Sequence, residues 1–353
     1  MIKDVNLVMI KVVSEIGSNH NGNYDLALKM IDKSIECGAD MVKFQTFDPN
    51  ELVTARAPKA EYQINNLGRS GSQKSMLEDI MLDYKHFQML FTYAQHNKIE
   101  IFSTPFDEPS IDFLYSLGQN IWKIPSGEIT NLPYLEKIAS LKIPNKHIII
   151  STGMATMNEI QFALSVLQQG NPMITILHCV TNYPAADADL NLRAILKFHE
   201  LFPECSIGYS DHSQGIIAAL VAAGMGITMV EKHFTLDKNL PGPDHKASID
   251  PDELMALCRG IRRAEHMLGQ QEKIVSEHEL PNRLWARKSI VARHSILKGE
   301  LFTEKNLACK RPGYGISPML WHKIIGMQAE RNFEEDELIT CSNISWQQKP
   351  DKQ

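Results

Sequence analysis

The chain has 353 residues, 43% hydrophobic and 22% charged, a globular profile long enough for one large domain and a smaller one. Its formal net charge of −6 argues against a general nucleic-acid binder, so an anionic substrate has to be met by individually placed lysines and arginines. The cysteines form no Cys-x-x-Cys pair, and the apolar stretch from Val5 to Val13 is broken by Lys11 and too short for a membrane helix; both features predict a cytoplasmic protein with reduced thiols and no membrane partner.

From Lys11 to about Leu268, short β-type runs alternate with amphipathic ones. In chain order they are a strand at 11–17 and a helix over Asp25–Cys37, a strand at 40–44 and a helix over Ser75–Asn97, then strands at 99–104, 121–126, 147–151, 174–179, 205–210 and 228–234. These later strands are followed by helices over Pro109–Leu117, Pro133–Leu141, Met157–Gln168, Asn191–Leu201, Gln214–Ala223 and Asp252–Met267. Strands alternating with helices imply parallel βαβ units, and eight of them in one domain match a (β/α)8 TIM barrel over 1–268, with a doubly wound open sheet as the alternative. Residues 269–288 are charged, contain Pro281 and read as a linker. A compact β-rich domain is expected over 289–348, with a short helix near Pro318–Ile325, and a polar tail over 349–353.

Nearly every predicted strand ends in a residue capable of chemistry: Glu15, Lys43, Thr104, Lys123, Ser151, His178, the run Ser210-Asp211-His212 and the run Glu231-Lys232-His233. A barrel brings those ends to one face, where an open sheet would scatter them. His212 and His233 end neighbouring strands and could share a divalent metal. Two buried lysines, Lys43 and Lys123, repel each other unless an anion lies between them; a phosphate and a carboxylate would supply it. Lys123 could instead be a Schiff-base nucleophile, but the neutral hydroxyls of Thr104, Ser126, Ser151 and Ser210 suit an anion cradle better. Glu128, after the fourth strand, is placed for acid–base work, and a stiff Pro-Gly-Pro turn fixes Asp244 and His245.

Nine segments together resemble the motif series of the bacterial sialic acid synthase family: Glu15–Gly22, Val42–Thr46, Ser103–Phe106, Lys123–Glu128, Ser151–Met154, Leu177–Cys179, Gly208–His212, Glu231–Thr235 and Gly242–His245. They come in the family's order, and Lys310-Arg311-Pro312-Gly313 resembles its C-terminal antifreeze-like (SAF) domain. The resemblance implies a transferase that joins phosphoenolpyruvate to an open-chain N-acetylated amino sugar with water, releasing phosphate by C–O cleavage. N-acetylneuraminate from N-acetylmannosamine is the first reading of the product, and legionaminic acid from a 2,4-diacetamido-trideoxymannose is the alternative.

By the same resemblance, manganese or magnesium is held by His212 and His233, and phosphoenolpyruvate by Lys43, Thr104, Lys123, Ser126, Ser151 and Ser210. An asparagine of some relatives aligns with Thr181 beside Asn182, so either could contact the phosphate. Glu15, Gln45, Tyr183 and Asp244 contact the sugar, Glu128 moves protons, and Arg311 of the partner subunit completes the sugar site in a domain-swapped homodimer. A Schiff-base aldolase and a non-catalytic carbohydrate- or ice-binding protein are the rival readings.

Overall fold

The computed structural model describes residues 9–67, 71–340 and 342, so the predicted tail 349–353 lies outside the described residues. Eight strands form one parallel sheet: β1 (Lys11–Gly17), β2 (Met41–Thr46), β3 (Glu100–Pro105), β4 (Ile121–Ile124), β5 (His147–Ser151), β6 (Met173–Cys179), β7 (Ser206–Asp211) and β8 (Met229–His233). Their order is β3-β2-β1-β8-β7-β6-β5-β4, and β3 also lies against β4. The first strand pairs with the last, which a doubly wound sheet does not do, and the sheet curls into a barrel.

No backbone ladder joins β3 to β4; the Gln119 side chain bridges there instead. Its Oε1 accepts from the Ser103 amide at 2.8 Å and its Nε2 donates to the Ser103 carbonyl at 3.0 Å. Gln119 is buried, so the two bonds satisfy groups that would otherwise be orphaned at the seam.

Period-two alternation along each strand sorts the lumen into two layers. Val13, Met41, Phe102, Ile121, Ile149, Leu177 and Met229 form a separate apolar cluster at one level. Two residues further along each strand stand Glu15, Lys43, Thr104, Lys123, Ser151, Cys179 and Glu231, with Ser210 at the same level on β7. On β7 the lower position is Gly208: a Cβ there would sit 2.4 Å from Leu177 Cδ2 and 2.7 Å from the Met229 carbonyl. The apolar layer is thus the floor on which the polar layer stands.

Helices clothe the barrel: α1 (Tyr24–Cys37), α2 (Pro49–Leu52), α3 (Glu61–Leu67), α4 (Gln73–Ile80), α5 (Tyr84–His96), α6 (Glu108–Ser116), α7 (Leu132–Ser140), α8 (Met157–Leu167), α9 (Ala194–Leu201), α10 (Ile217–Ala223) and α11 (Pro251–Leu268). The single helix expected over Ser75–Asn97 is two. Met81 is extended and the Asp83 carboxylate caps α5 by accepting from the His86 amide at 2.8 Å, which restarts the helix at a new angle. Phe47, just after β2, and Met76, Leu77 and Ile80 of α4 form a small apolar cluster distinct from the main core.

The chain divides between Gly269 and Gln270. In the second unit β9 (Ser289–Ala292) pairs antiparallel with β10 (Leu307–Lys310), and Ile290, Ile296, Phe302, Leu307, Ile324 and Phe333 build its core. The segment read as a linker contains α12 (Leu280–Ala286), whose Leu284 carbonyl accepts from the Gly313 amide at 2.7 Å. A short helix, α13 (Trp321–Ile324), falls where one was expected. Among the described residues no helix is long and apolar enough to cross a membrane.

Candidate active site

Four charged side chains meet at the polar level of the lumen. Lys43 Nζ is 2.7 Å from Glu15 Oε2 and 3.8 Å from Glu231 Oε1. Lys123 Nζ donates to both Glu231 oxygens at 2.9 Å. The lysines are therefore held by two carboxylates of the same chain, so β1 and β8 supply the anion expected between them. All four groups are almost wholly buried, and burial opposes every charge. The lysines outweigh it at Glu231 and hold that carboxyl down at about 2. At Glu15 burial wins over Lys43, pushing the carboxyl up to about 6. Burial lowers Lys123 against the pull of Glu231, whereas at Lys43 the two carboxylates overcome burial and raise the amine.

Above this cluster opens a cavity of about 180 Å³. It is lined by Glu15, Lys43, Gln45, Thr104, Lys123, Ser126, Ser151, Thr181, Tyr183, Ser210, His212 and His233, so twelve residues expected from the sequence converge on one space. Thr104 Oγ1 accepts from Lys43 at 3.1 Å, and Ser126 Oγ accepts from the Gly153 amide at 3.0 Å. The buried Ser151 hydroxyl has no hydrogen-bond partner, which buried polar groups seldom tolerate. Of the pair Thr181 and Asn182, Thr181 lines the cavity and Asn182 is exposed.

His212 and His233 face one another with ring centroids 5.3 Å apart. His212 Nδ1 lies 2.7 Å from the Val180 carbonyl oxygen, which accepts only from a proton-bearing nitrogen, so in the neutral ring the lone pair sits on Nε2. His233 Nδ1 is buried without a hydrogen-bond partner, and burial together with His212 keeps that ring neutral. Burial opposes a charge on His212, but Cys179, the Val180 carbonyl and Glu231 outweigh it and raise that ring. With His212 anchored through Nδ1 and His233 neutral, the pair would fit a divalent ion that takes its remaining ligands from water and substrate. Among the described residues no group of three or more His, Cys, Asp or Glu is arranged to hold a metal.

Three strand-end residues point elsewhere. His178 Nε2 meets the Leu190 carbonyl at 2.7 Å and its ring stacks on Tyr209, so Cys179, next along the strand, is the residue of β6 that reaches the lumen. Asp211 and Lys232 form a fully buried ion pair at 2.8 Å, away from the cavity lining. Asp211 Oδ1 also accepts from the Ser213 amide and hydroxyl at 2.8 and 2.7 Å, fixing the turn that carries His212.

A second cavity, of about 300 Å³, shares Gln45, Phe106, Tyr183 and His233 with the first. Asp244 lines it: Oδ2 accepts from Ser18 Oγ at 3.2 Å and Oδ1 is buried without a hydrogen-bond partner. Burial raises the Asp244 carboxyl, against the Ser18 bond. Glu128 also belongs to this cavity; its Oε2 accepts from Asn131 at 2.7 Å, and it lies off the lysine cluster. Arg311, in the second unit, is exposed, with Nε donating to the Ala286 carbonyl at 3.1 Å. Sequence reasoning placed Glu231 among the chemically capable strand ends but gave it no role, although it stands two residues before His233 on one strand and so shares its face. It also missed the residues of α2 and α4 that wall the second cavity.

The NeuB family model matches residues 30–273 and the SAF domain model residues 287–345. The N,N'-diacetyllegionaminic acid synthase of Campylobacter jejuni is 46% identical over 331 residues, 93% of this chain and 98% of that protein. The enzyme of the same name from Legionella pneumophila is 45% identical over 338 residues, 94% of each chain. A solved structure, the N-acetylneuraminic acid (sialic acid) synthetase of Leptospira borgpetersenii in complex with citrate, superposes with a TM-score of 0.68 at 30% identity, over 80% of this chain and 94% of that one.

Proposed function

The chain belongs to the NeuB family, and from that premise we propose that it is a legionaminic acid synthase, condensing phosphoenolpyruvate with open-chain 2,4-diacetamido-2,4,6-trideoxymannose. C3 of phosphoenolpyruvate bonds to C1 of the sugar, water adds at C2, and phosphate leaves with the bridging oxygen. N-acetylneuraminate, the first reading from the motifs, gives way: two relatives named for the legionaminic product are 45% and 46% identical, against 30% for the sialic acid synthetase.

The observation that carries the anion half of the reading is the closed cluster of Lys43, Lys123, Glu15 and Glu231 beneath the unpartnered Ser151 hydroxyl. Lys43 and Lys123 exchange a carboxylate for the phosphate and carboxylate of phosphoenolpyruvate, with Thr104, Ser126, Ser151, Thr181 and Ser210 as neutral donors. These groups are in place before reaction, so charge moves without reorganisation of the site. Gln45, Tyr183 and Asp244 orient the sugar where the two cavities meet. Glu128, beside that junction, exchanges protons with the sugar oxygens, and Arg311 of the partner subunit completes the sugar site in a homodimer. His212 and His233 would hold Mn2+ or Mg2+, which supplies Lewis-acid polarisation of the aldehyde when bound.

The test mixes the cytoplasmically expressed protein and Mn2+ with phosphoenolpyruvate carrying 18O at the bridging position and either the diacetamido sugar or N-acetylmannosamine. Labelled phosphate and a nonulosonic acid, formed faster from the diacetamido sugar, are expected. Label retained in the acid, or faster turnover of N-acetylmannosamine, would refute the assignment.

A further inference from the structure

The second cavity has two unlike sides. Toward the lumen it presents His233 and the three groups assigned above to the sugar, Gln45, Tyr183 and Asp244. Away from the lumen it is walled by Phe47, Leu52, Val53, Met76, Leu77 and Ile80. These come from the segment following β2 and from α4, where positions 76, 77 and 80 share one helical face. Phe47 stands edge-on to Phe106 at the mouth of the lumen, with ring centroids 6.4 Å apart. The wall is tied to the loop bearing Asp244: Asn66 Nδ2 donates to the Pro243 carbonyl at 2.6 Å.

A sugar whose C1 reacts where the cavities meet must place its far end in the second one. A hydroxyl turned to these six apolar side chains gives up its water partners and gains none from them, whereas a methyl in the same place is removed from water at a gain. We infer that this wall is the specificity surface for the distal end of the sugar, and that it selects a methyl at C6 over a hydroxymethyl. The inference rests on the synthase reading. It assigns Leu77, with Met76 and Ile80 beside it, as specificity-determining residues. Gln63 and Gln73, which also line the cavity, are the amide-bearing side chains on that side.

The test uses two sugars that differ only at C6, N-acetylmannosamine and its 6-deoxy derivative, with phosphoenolpyruvate and Mn2+ and phosphate release as readout. For the wild type, kcat/KM is expected to favour the 6-deoxy sugar by about tenfold to a hundredfold, the range an apolar pocket achieves against an added hydroxyl. Leu77→Asn should bring that ratio down toward unity, and Leu77→Met should keep it. Both sugars are read on the same protein, so a loss of folded enzyme cancels in the ratio; if Leu77→Asn does not fold, Met76→Gln makes the same measurement. Equal kcat/KM for the two sugars in the wild type, or a ratio unmoved by the polar variants, leaves the synthase reading standing and overturns this one. Phosphate release with the diacetamido sugar but not with the 6-deoxy sugar overturns this inference alone, and release with none of the three overturns both.

Discussion

Replacing Glu231 by Gln tests whether the buried cluster is a site waiting for an anion. Glu231 accepts from Lys123 through both oxygens at 2.9 Å and lies 3.8 Å from Lys43. Its carboxyl is held at about 2 against an ordinary 4.5, and the difference corresponds to about 3 kcal/mol at neutral pH. A depressed carboxyl contributes stability that is present above pH 4.5 and lost as pH falls through about 2, so the whole effect is available at pH 7. Removing one member of a buried pair costs about 3–5 kcal/mol, which agrees. For a domain of this size, that is a fall of roughly 6–10 °C in the midpoint of the barrel's unfolding transition. The assay is thermal unfolding at pH 7 in EDTA, with and without phosphoenolpyruvate. The ligand should raise the midpoint of Glu231→Gln more than that of the wild type, because its phosphate replaces the missing carboxylate between the lysines. A loss below about 1 kcal/mol, or equal ligand gains in the two proteins, would refute the reasoning.

Glu15, raised to about 6, favours its protonated form; that contribution is complete below pH 4.5 and lost as pH rises through 6. Protonation frees Lys43, so calorimetric binding of phosphoenolpyruvate in EDTA should tighten from pH 7 to 5.5 more in the wild type than in Glu15→Gln. His233→Ala should lose Mn2+ in equilibrium dialysis and lose turnover while keeping the far-ultraviolet dichroism of the barrel; undiminished Mn2+ binding would count against the histidine pair. Lys123 should form no borohydride-trapped adduct with phosphoenolpyruvate or sugar, and mass spectrometry of the treated protein checks this. Refolding Arg311→Ala together with Glu128→Ala should restore about a quarter of normal activity if Arg311 serves the other subunit, since half the dimers are mixed and one site in each is intact; an inactive mixture would confine Arg311 to its own chain.

Much of the barrel was legible because its strands are buried on both faces and read as continuous apolar runs, such as His147–Ser151. Side-chain direction was less so. His178, Asp211 and Lys232 looked as capable as their neighbours, but one residue along a strand reverses the face, and the lumen received Cys179, Ser210 and Glu231 instead. Fixing the parity from His233 separates Glu231 from Lys232 within the run that the sequence offered. The charge balance of the lysines was legible only in part: the expected barrel sets β1 between β2 and β8, but which carboxylate meets which lysine depends on register across the closed sheet. Helices α2 and α3 escaped because four and seven residues are too few for a 3.6-residue period to declare itself.

The separateness of the apolar cluster formed by Phe47 and α4 has a consequence for how such an enzyme changes over generations. Phe47, Met76, Leu77 and Ile80 pack on one another and not into the main core, so if this wall meets the sugar, substitutions among them are filtered by the sugar and only weakly by the folding of the barrel. The lumen is under the opposite regime, where Gly208 leaves no room even for a methyl beside Leu177. Variation in the choice of substrate can therefore accumulate in residues 47–82 while the condensing machinery is inherited intact. The hydrogen bond from Asn66 to Pro243 and that from the Asp48 amide to Asp107 mark loops that have to change in step.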